Sequence, residues 1–260
     1  MLIICFLFFS TVFGQNDILT QISTIDALLN GIYDGEMTIQ ALGERGDFGI
    51  GTFNGLDGEM VVLDGHFYQV TSDGTVHIPS PEIKTPFAAV TFFETDKKQQ
   101  LGTGIDFQIF QREMDDLIPT QNIFYAIMIK GIFKTIQTRS VPKQVEPYPL
   151  LSDIVNSQPV FDFENVEGII VGFRCPPYIS SIAVPGYHLH FLTNDRKSGG
   201  HVLDFTVDEA VLEIDETHQF FMFLPESQDF YNLDLTINRE EELKKVEQAS
   251  PDMEAENGNP

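Results

Sequence analysis

Apolar and polar residues alternate along most of the chain with the two-residue period of β-strands, and turn-forming residues separate the alternating segments. Asp57-Gly58, Gly65 and Asp73-Gly74 are separators of this kind in the first half of the chain. We therefore expect a protein rich in β-structure. The pattern predicts strands near residues 47–53, 58–64, 66–71, 74–78, 87–94, 104–110, 124–131, 132–138, 159–163, 167–174, 186–193, 201–214 and 218–224.

Helical spacing appears mainly near the two ends of the chain. A helix is predicted over residues 17–31, where Asp17 can cap the start and Gly31 follows the end. Its apolar residues recur every three or four positions, at Ile18, Ile22, Ile25 and Leu29. A second short helix or turn is predicted at 34–43, and a polar helix at 239–248.

A proline-rich stretch divides the strand-forming part of the chain. Residues 141–151 contain Pro142, Pro147 and Pro149, which predict an extended connector and a candidate domain boundary. We therefore predict an α/β, β-rich protein with a two-domain, mixed-sheet architecture. Residues 15–140 would form an N-terminal α/β domain, and residues 141–248 a β-rich C-terminal domain that carries the candidate metal ligands described below.

The two termini differ in composition from these domains. Residues 1–14 form an apolar run that is too short to span a bilayer and is followed at once by polar residues, as is typical of a secretory signal peptide. We expect the mature protein to be secreted or periplasmic, or cytoplasmic if this segment is not cleaved. The acidic residues 249–260 are predicted to form a disordered tail.

The charge of the chain restricts its partners. The formal net charge is −24 over 260 residues. Nucleic-acid binding needs a basic surface, so this acidity argues against a nucleic-acid partner, and it also argues against docking on anionic membranes. No segment after residue 14 is long and apolar enough to span a membrane.

Three of the six histidines lie within fourteen residues. His188 and His190 alternate with apolar residues, so both side chains point to one face of a predicted strand. Residues 194–200 are rich in turn formers, and a hairpin there would place His201 opposite His190 on the same face. Three neutral imidazoles suit Zn²⁺ with an open, catalytic coordination position. The alternative is that these are half-buried histidines bonded to backbone groups.

Three further residues are candidates for a chemical role. Glu59 opens an apolar strand, as either an exposed side chain or a buried carboxyl with a raised pKa. Arg139 ends a long β segment and would bind an anionic ligand or form a surface ion pair. Thr52 ends a glycine-rich strand that permits close backbone approach. Cys175 is predicted to be a packed residue rather than a nucleophile.

Five fragments, in this order along one chain, resemble the acetolactate decarboxylase family, and the resemblance runs from about Ile25 to Leu224. They are GERGDFGIGTF at 43–53, LDGEM at 56–60, QTR at 137–139, VPGYHLHF at 184–191 and GGHVLD at 199–204. The resemblance implies two β-rich α/β domains with a zinc ion at or near their interface. A homodimer is also expected.

The resemblance also implies a role for each candidate residue. His188, His190 and His201 match the zinc ligands, Glu59 an active-site acid, and Arg139 the active-site arginine. Thr52 matches a residue that lines the pocket. A further glutamate of the family comes from the C-terminal segment, where Glu247 is the best positional match, although Glu240, Glu241 and Glu242 lie nearby.

The implied reaction is the decarboxylation of 2-acetolactate, a small-molecule substrate, to acetoin and CO₂. Zinc would act as Lewis acid and electron sink for an enediolate intermediate. Arg139 would orient the carboxylate of the substrate, and either Glu59 or Glu247 would deliver the proton. The alternatives are another zinc lyase, such as one that hydrates CO₂, a cupin-type metal barrel, or a secreted non-catalytic binding protein on the same scaffold.

Overall fold

The protein is described by a computed structural model that covers residues 17–247. The predicted signal peptide at 1–14 and the predicted tail at 249–260 lie outside the described residues. Fourteen strands occur within residues 17–247. They are β1 (Ile18–Ile22), β2 (Met37–Thr38), β3 (Phe48–Thr52), β4 (Glu59–Leu63), β5 (His66–Val70), β6 (Val76–His77), β7 (Lys84–Thr85), β8 (Ala88–Thr91), β9 (Lys97–Leu101), β10 (Phe124–Arg139), β11 (Val160–Cys175), β12 (Gly186–Thr193), β13 (Gly199–Thr217) and β14 (Gln219–Phe223).

The helices of the same residues are short apart from one of eleven residues. They are α1 (Ile25–Leu29), α2 (Ile39–Gly43), α3 (Phe107–Leu117), α4 (Leu151–Ile154), α5 (Gln228–Tyr231) and α6 (Glu240–Glu247), with 3₁₀ turns at Val155–Ser157 and Pro177–Ile179. No helix among the described residues is long and apolar enough to cross a bilayer.

Two main sheets build the molecule. The first sheet has seven strands in the order β14-β1-β8-β3-β4-β5-β6, and β1 pairs in parallel with β14. The second has five strands in the order β10-β11-β12-β13-β9, and β13 also pairs with β10. Strands β10 to β13 therefore form a closed ring of antiparallel pairings, which leaves no free edge among these four strands.

Buried side chains connect these sheets. Leu19, Ile50 and Val61 of the first sheet pack with Ile169 and Phe173 of the second in one apolar cluster. A larger cluster lies on the other face of the second sheet, where α3 covers it with Phe110 and Met114. A third cluster joins α1, α4 and α6, and it brings the C-terminal helix against the connector.

The predicted helix at 17–31 is wrong in its first half. Residues Ile18–Ile22 form β1, which is hydrogen-bonded to β14 on one side and to β8 on the other. Ser23 has a φ of +62°, and Thr24 caps α1 by accepting a hydrogen bond from the Ala27 N–H. Apolar spacing alone does not separate a buried strand from a helix, so the two-sided pairing decided this segment.

The predicted strand at 104–110 is also wrong. Asp106 accepts a hydrogen bond from the Ile109 N–H at 2.7 Å and caps α3, and Phe110 and Met114 are the buried face of that helix. Ile105, Phe107 and Ile109 alternate in the sequence with the period of a strand, although the segment from Phe107 onward is helical. The strand of this region lies earlier, at Lys97–Leu101, where the polar sequence gave no apolar alternation.

Other predicted elements are confirmed. The helix at 239–248 corresponds to α6, and the second half of 34–43 is the helix α2. Pairs of predicted strands merge, because β10 runs unbroken through 124–139 and β11 through 160–175. The proline-rich connector is confirmed as irregular, apart from the short helix α4 at its end.

Sheet membership does not follow the predicted division at 141–151. Strands β9 and β10 precede the connector but belong to the second sheet, and β14 follows the connector but belongs to the first. The reason is that long antiparallel pairing along β10 joins it to both β11 and β13. The assignment of separate domains at 15–140 and 141–248 stays a prediction.

Candidate metal centre and active site

The three histidines meet where β12 pairs with the start of β13. His190 lies directly opposite His201 in the antiparallel register, as the sequence predicted. His188 lies two residues earlier on β12, on the same face. The ring centroids of the three imidazoles are 5.1 to 5.4 Å apart. The predicted clustering of these three side chains is therefore confirmed.

The local sequence explains this hairpin. Thr193 and Asp195 bond to each other at 2.8 Å, and the Asp195 carboxylate and Thr193 hydroxyl accept hydrogen bonds from the N–H groups of Lys197 and Ser198. These contacts fix the turn between the strands. Gly200 has a φ of +141°, and a Cβ there would lie 2.5 Å from the Arg139 carbonyl oxygen. Only glycine allows β10 to approach the histidines so closely.

The donor atoms of the histidines fit a metal ion. One ligand atom from each of the three lies within 4.8 Å of the others, and no other such group of histidine, cysteine or acidic residues occurs among the described residues. His190 donates from Nδ1 to the Met60 carbonyl at 2.8 Å, which leaves its Nε2 with a lone pair. That Nε2 is buried without a hydrogen-bond partner within the described part of the chain.

Burial also keeps these imidazoles neutral. It lowers the pKa of His188 to about 3, with the Arg139 charge adding to the effect. Burial likewise lowers the pKa of His190 and of His201 well below the ordinary value, and neighbouring positive groups act in the same direction. Metal ligation needs the unprotonated nitrogen, so the residues present fit a transition-metal ion.

Glu59 comes to this site from the first sheet. It begins β4 and lies opposite Thr52 of β3. Its Oε2 is 3.5 Å from His190 Nε2, and its Oε1 accepts a hydrogen bond from the Val141 N–H at 3.3 Å. The side chain is only 12% exposed, and burial raises its pKa to about 7, against the opposing effect of Arg139. Of the two interpretations from the sequence, the buried carboxyl is therefore the right one.

Glu247 reaches the histidines from the last turn of α6. Its Oε2 lies 3.7 Å from His201 Nε2 and 3.9 Å from His188 Nε2. Burial raises the pKa of this carboxyl to about 7, although Arg139 lowers it. Glu241 instead pairs with Lys244, and Glu242 with Arg239. Glu247 is thus the C-terminal glutamate that the fold brings to the site.

Arg139 is a buried residue of the site rather than a member of a surface ion pair. It ends β10, opposite His201 of β13, and is 6% exposed. One guanidinium nitrogen donates to the backbone carbonyl of Val246 on α6. Burial lowers the pKa of Arg139, and the charges of Glu247 and Glu59 partly offset this effect. Arg139 therefore lies beside both glutamates and all three histidines.

A small cavity of about 60 Å³ joins these groups. Thr52 lines it, as expected, and donates its hydroxyl proton to the Gly58 carbonyl at 2.7 Å, which fixes the turn before Glu59. His201 and Glu247 also line a larger neighbouring cavity of about 650 Å³, which runs along α6. The small cavity is lined by Ile25, Leu28, Gly51, Thr52, Leu56, Glu59, Phe87, Arg139, Val141, Leu151, Gln158, His188, His201, Val246 and Glu247.

The sequence gave no indication of one polar residue in this lining. Gln158 follows a 3₁₀ turn and precedes β11, and a lone glutamine in such a segment carries no recognisable pattern. Only the pairing of β10 with β11 brings it beside Arg139. By contrast, the interpretation of Cys175 is confirmed, because it is buried in an apolar cluster and burial raises its pKa to about 12.

Comparison with known proteins identifies the family of this chain. The sequence model described as alpha-acetolactate decarboxylase matches residues 19–237. The chain belongs to the alpha-acetolactate decarboxylase family. The resemblance found in the sequence fragments is thereby confirmed, and it covers most of the described residues.

Individual members of the alpha-acetolactate decarboxylase family agree in sequence and fold. The chain is 49% identical to the alpha-acetolactate decarboxylase of Methanosarcina mazei, over 90% of this chain and 81% of that protein. It is 43% identical to the one from Bacillus subtilis, over 83% and 84% of the two chains. The crystal structure of the enzyme from Bacillus subtilis strain 168 superposes with a TM-score of 0.88 at 40% identity, covering 89% of this chain and all of that one.

Proposed function

We propose that this protein is a metal-dependent carboxy-lyase that converts 2-acetolactate to acetoin and CO₂. Family membership over residues 19–237 supports the reaction. The observation that carries the proposal is that three neutral histidines, two carboxyl groups and one buried arginine line one small cavity or contact a residue that lines it. An anionic keto acid needs a cation to bind its carboxylate and a proton source for the carbon that loses CO₂, and this cavity offers both.

The metal in this proposal is zinc, held by His188, His190 and His201. Three imidazoles are a common set of protein ligands in catalytic zinc sites. When bound, zinc would supply a Lewis acid that polarises the oxygens of the substrate and stabilises the negative charge that develops on them as CO₂ leaves. The Nε2 of His190 is buried and makes no hydrogen bond within residues 17–247, which supports a cation at this position, since a ring nitrogen is costly to bury without a bond.

Arg139 binds the carboxylate of the substrate in this scheme. Its guanidinium is held at the end of β10 and is buried, so its attraction for an anion is little weakened by water. The hydrogen bond to the Val246 carbonyl uses one donor and keeps the planar group in place. The remaining donors can orient the carboxylate so that the bond to CO₂ breaks in one direction.

Glu59 delivers the proton to the carbon that has lost CO₂. Strand β4 and the hydrogen bond from the Val141 N–H hold its carboxyl in one place, and a fixed donor yields one enantiomer of acetoin. Glu247 closes the cavity from the other side, because α6 carries it against His188 and His201. Apolar residues of the lining, such as Leu28, Leu56 and Phe87, exclude water from the reaction.

We also propose that the metal is zinc, that residues 1–14 are cleaved on export, and that the protein assembles as a homodimer. A second enzyme function, such as CO₂ hydration, and a non-catalytic binding role remain the alternatives that an assay separates.

The metal site is tested by His190→Ala, compared with wild type and with His66→Ala, which removes an exposed imidazole of β5. We expect wild type to decarboxylate acetolactate and to hold about one metal ion per chain. His190→Ala should lose the ion and nearly all activity, since two imidazoles bind too weakly. The measurements are acetoin formation and elemental analysis of the purified proteins. Full activity of a metal-free His190→Ala protein would contradict the proposal, and CO₂ hydration without acetoin formation would favour the alternative lyase.

A further inference from the structure

Gln158 lines the small cavity and carries a buried polar atom that makes no hydrogen bond with any residue of the described range 17–247. Its side chain lines the cavity together with Glu59, Arg139 and His201. Its Oε1 atom is buried and has no hydrogen-bond partner within the described part of the chain. Buried amide oxygens are almost always hydrogen-bonded, so an unsatisfied one in a ligand cavity calls for a donor on the ligand.

The backbone around Gln158 is fixed by the same strands that place Arg139. Arg139 lies opposite Val160 in the pairing of β10 with β11. One residue further on, the Ser140 N–H donates to the Pro159 carbonyl at 3.3 Å, and the Gln158 N–H donates to the Val155 carbonyl at 3.3 Å. These bonds fix the backbone of Gln158 close to the end of β10 that carries Arg139. A residue that orients a ligand requires a fixed backbone of this kind.

The polar groups of the cavity differ in what they can bind. Arg139 offers only donors, which suit the carboxylate of a keto acid. Thr52 already donates its hydroxyl proton to Gly58. The substrate of the proposed reaction carries one hydroxyl, which must donate to an acceptor once water is excluded. Glu59 and Glu247 also offer acceptor oxygens to the cavity, but as carboxylates they repel an anion, whereas the Oε1 of Gln158 is a neutral acceptor that adds no repulsion toward the anionic substrate.

We propose that Gln158 orients the substrate by accepting a hydrogen bond from its tertiary hydroxyl group, next to the carboxylate that Arg139 binds. This inference rests on the proposed function of the site and extends it to one further residue. Such a contact makes the hydroxyl a requirement for tight binding, because a ligand that lacks it leaves the amide oxygen buried and unpaired. Gln158 therefore restricts the site to 2-hydroxy acids among keto acids of this size.

The test compares two stable ligands that differ only in this hydroxyl. One is 2,3-dihydroxy-2-methylbutanoate, which is the substrate with its ketone reduced, and the other is 3-hydroxy-2-methylbutanoate. Their dissociation constants are measured by calorimetry on the zinc-loaded protein. We expect wild type to prefer the dihydroxy compound, and Gln158→Leu to reduce that preference by about 10- to 100-fold. Gln158→Glu retains an acceptor oxygen and should retain most of the preference, because its added charge weakens both carboxylates alike.

Control measurements distinguish a failure of the proposed role of Gln158 from a failure of the proposed function. Gln100→Leu removes an exposed amide of β9 that does not line the cavity, and it should leave the preference unchanged. Elemental analysis checks that each variant holds its metal, and Gln158→Met repeats the test if the leucine variant does not fold. An unchanged preference in the apolar variant overturns the role of Gln158 even when wild type makes acetoin. Failure of wild type to make acetoin overturns the proposed function instead.

Discussion

At the scale of single residues, the site depends on two glutamates that reach the histidines from opposite sides. Glu59 is 3.5 Å from His190 Nε2, and Glu247 is 3.7 Å from His201 Nε2. Their supports differ, because Glu59 lies at the start of a sheet strand, whereas Glu247 is the last residue of a short helix. The two carboxyl groups thus lie at similar distances from the histidines. They differ in the rigidity of the element that carries each of them.

Replacing each glutamate by glutamine separates their roles. Glu59→Gln keeps the size of the side chain and an acceptor for the Val141 N–H but removes the acidic proton. We expect it to lower kcat by about 10²- to 10⁴-fold with the metal retained. Glu247→Gln should lower kcat by less than about tenfold and should reduce the enantiomeric purity of acetoin.

The measurements are kcat and the enantiomeric ratio of acetoin for both variants. Each replacement is the same chemical change, so each serves as the control for the other. If Glu247→Gln is inactive while Glu59→Gln still turns over with unchanged stereochemistry, the helix supplies the proton and the assignment is reversed.

At the scale of elements, α6 is the part of the site with the least sheet support. Leu243 and Val246 are buried in the apolar cluster with α1 and α4. Arg239, just before the helix, donates to Asn30 Oδ1 at 2.6 Å and pairs with Glu242 at 2.7 Å. One residue thus ties the start of α6 to the end of α1, and the position of Glu247 depends on that attachment.

Arg239→Ala is expected to loosen α6 without disturbing the metal. The three histidines lie on β12 and β13, so the metal content should stay at the wild-type value. Activity should fall about 3- to 30-fold, because a less ordered helix leaves Glu247 out of place and admits water. Acetoin formation and elemental analysis provide the two measurements. Lys245→Ala, which removes an exposed charge of the same helix, is the matched control, and equal activity of the two variants would argue against this anchoring role.

At the scale of the whole molecule, the segment between β8 and β9 carries the chain from the first sheet to the second. Asp215 of β13 accepts a hydrogen bond from the Glu94 N–H of this segment at 3.1 Å. The Asp96 N–H donates to the Ile214 carbonyl at 2.9 Å. Asp215 is 1% exposed, and burial, followed by the charges of Asp96, Asp17 and Glu94, raises its pKa to about 7. We therefore expect the crossing between the sheets to be sensitive to pH.

The raised pKa makes the free energy of unfolding depend on pH. Between about pH 4 and pH 7 the folded protein keeps the Asp215 proton, whereas the unfolded chain has released it. The contribution of Asp215 to the free energy of unfolding is therefore largest at low pH. It falls as the pH rises, by at most about 1.4 kcal/mol per pH unit. Asp215→Asn should remove this slope and stabilise the protein at pH 8, since the amide can still accept from the Glu94 N–H.

Urea unfolding of wild type and Asp215→Asn from pH 4 to pH 8 measures the difference. Asp116→Asn neutralises an exposed carboxylate of α3 and controls for the loss of one charge. If the free energy of unfolding changes with pH equally in wild type and in Asp215→Asn, the buried carboxyl is not the cause of the pH dependence.

Much of the candidate site followed from local sequence. The alternation around His188 and His190, and the turn residues before His201, specify a hairpin because side-chain direction and turn geometry depend on neighbouring residues only. The resemblance then assigned Glu59, Arg139 and Glu247, and the fold brings all three beside the histidines. These assignments needed no knowledge of distant contacts.

The tertiary structure decided what depends on pairing between distant segments. Ile18–Ile22 is a strand because β8 and β14 bond to it on both sides, and the sheets cross the proline-rich connector because β10 pairs along its length with β11 and β13. Gln158 is likewise part of the cavity only through that pairing. The choice of a remote strand as hydrogen-bond partner produces no periodic pattern in the sequence of either strand. Only the folded chain therefore reveals these pairings.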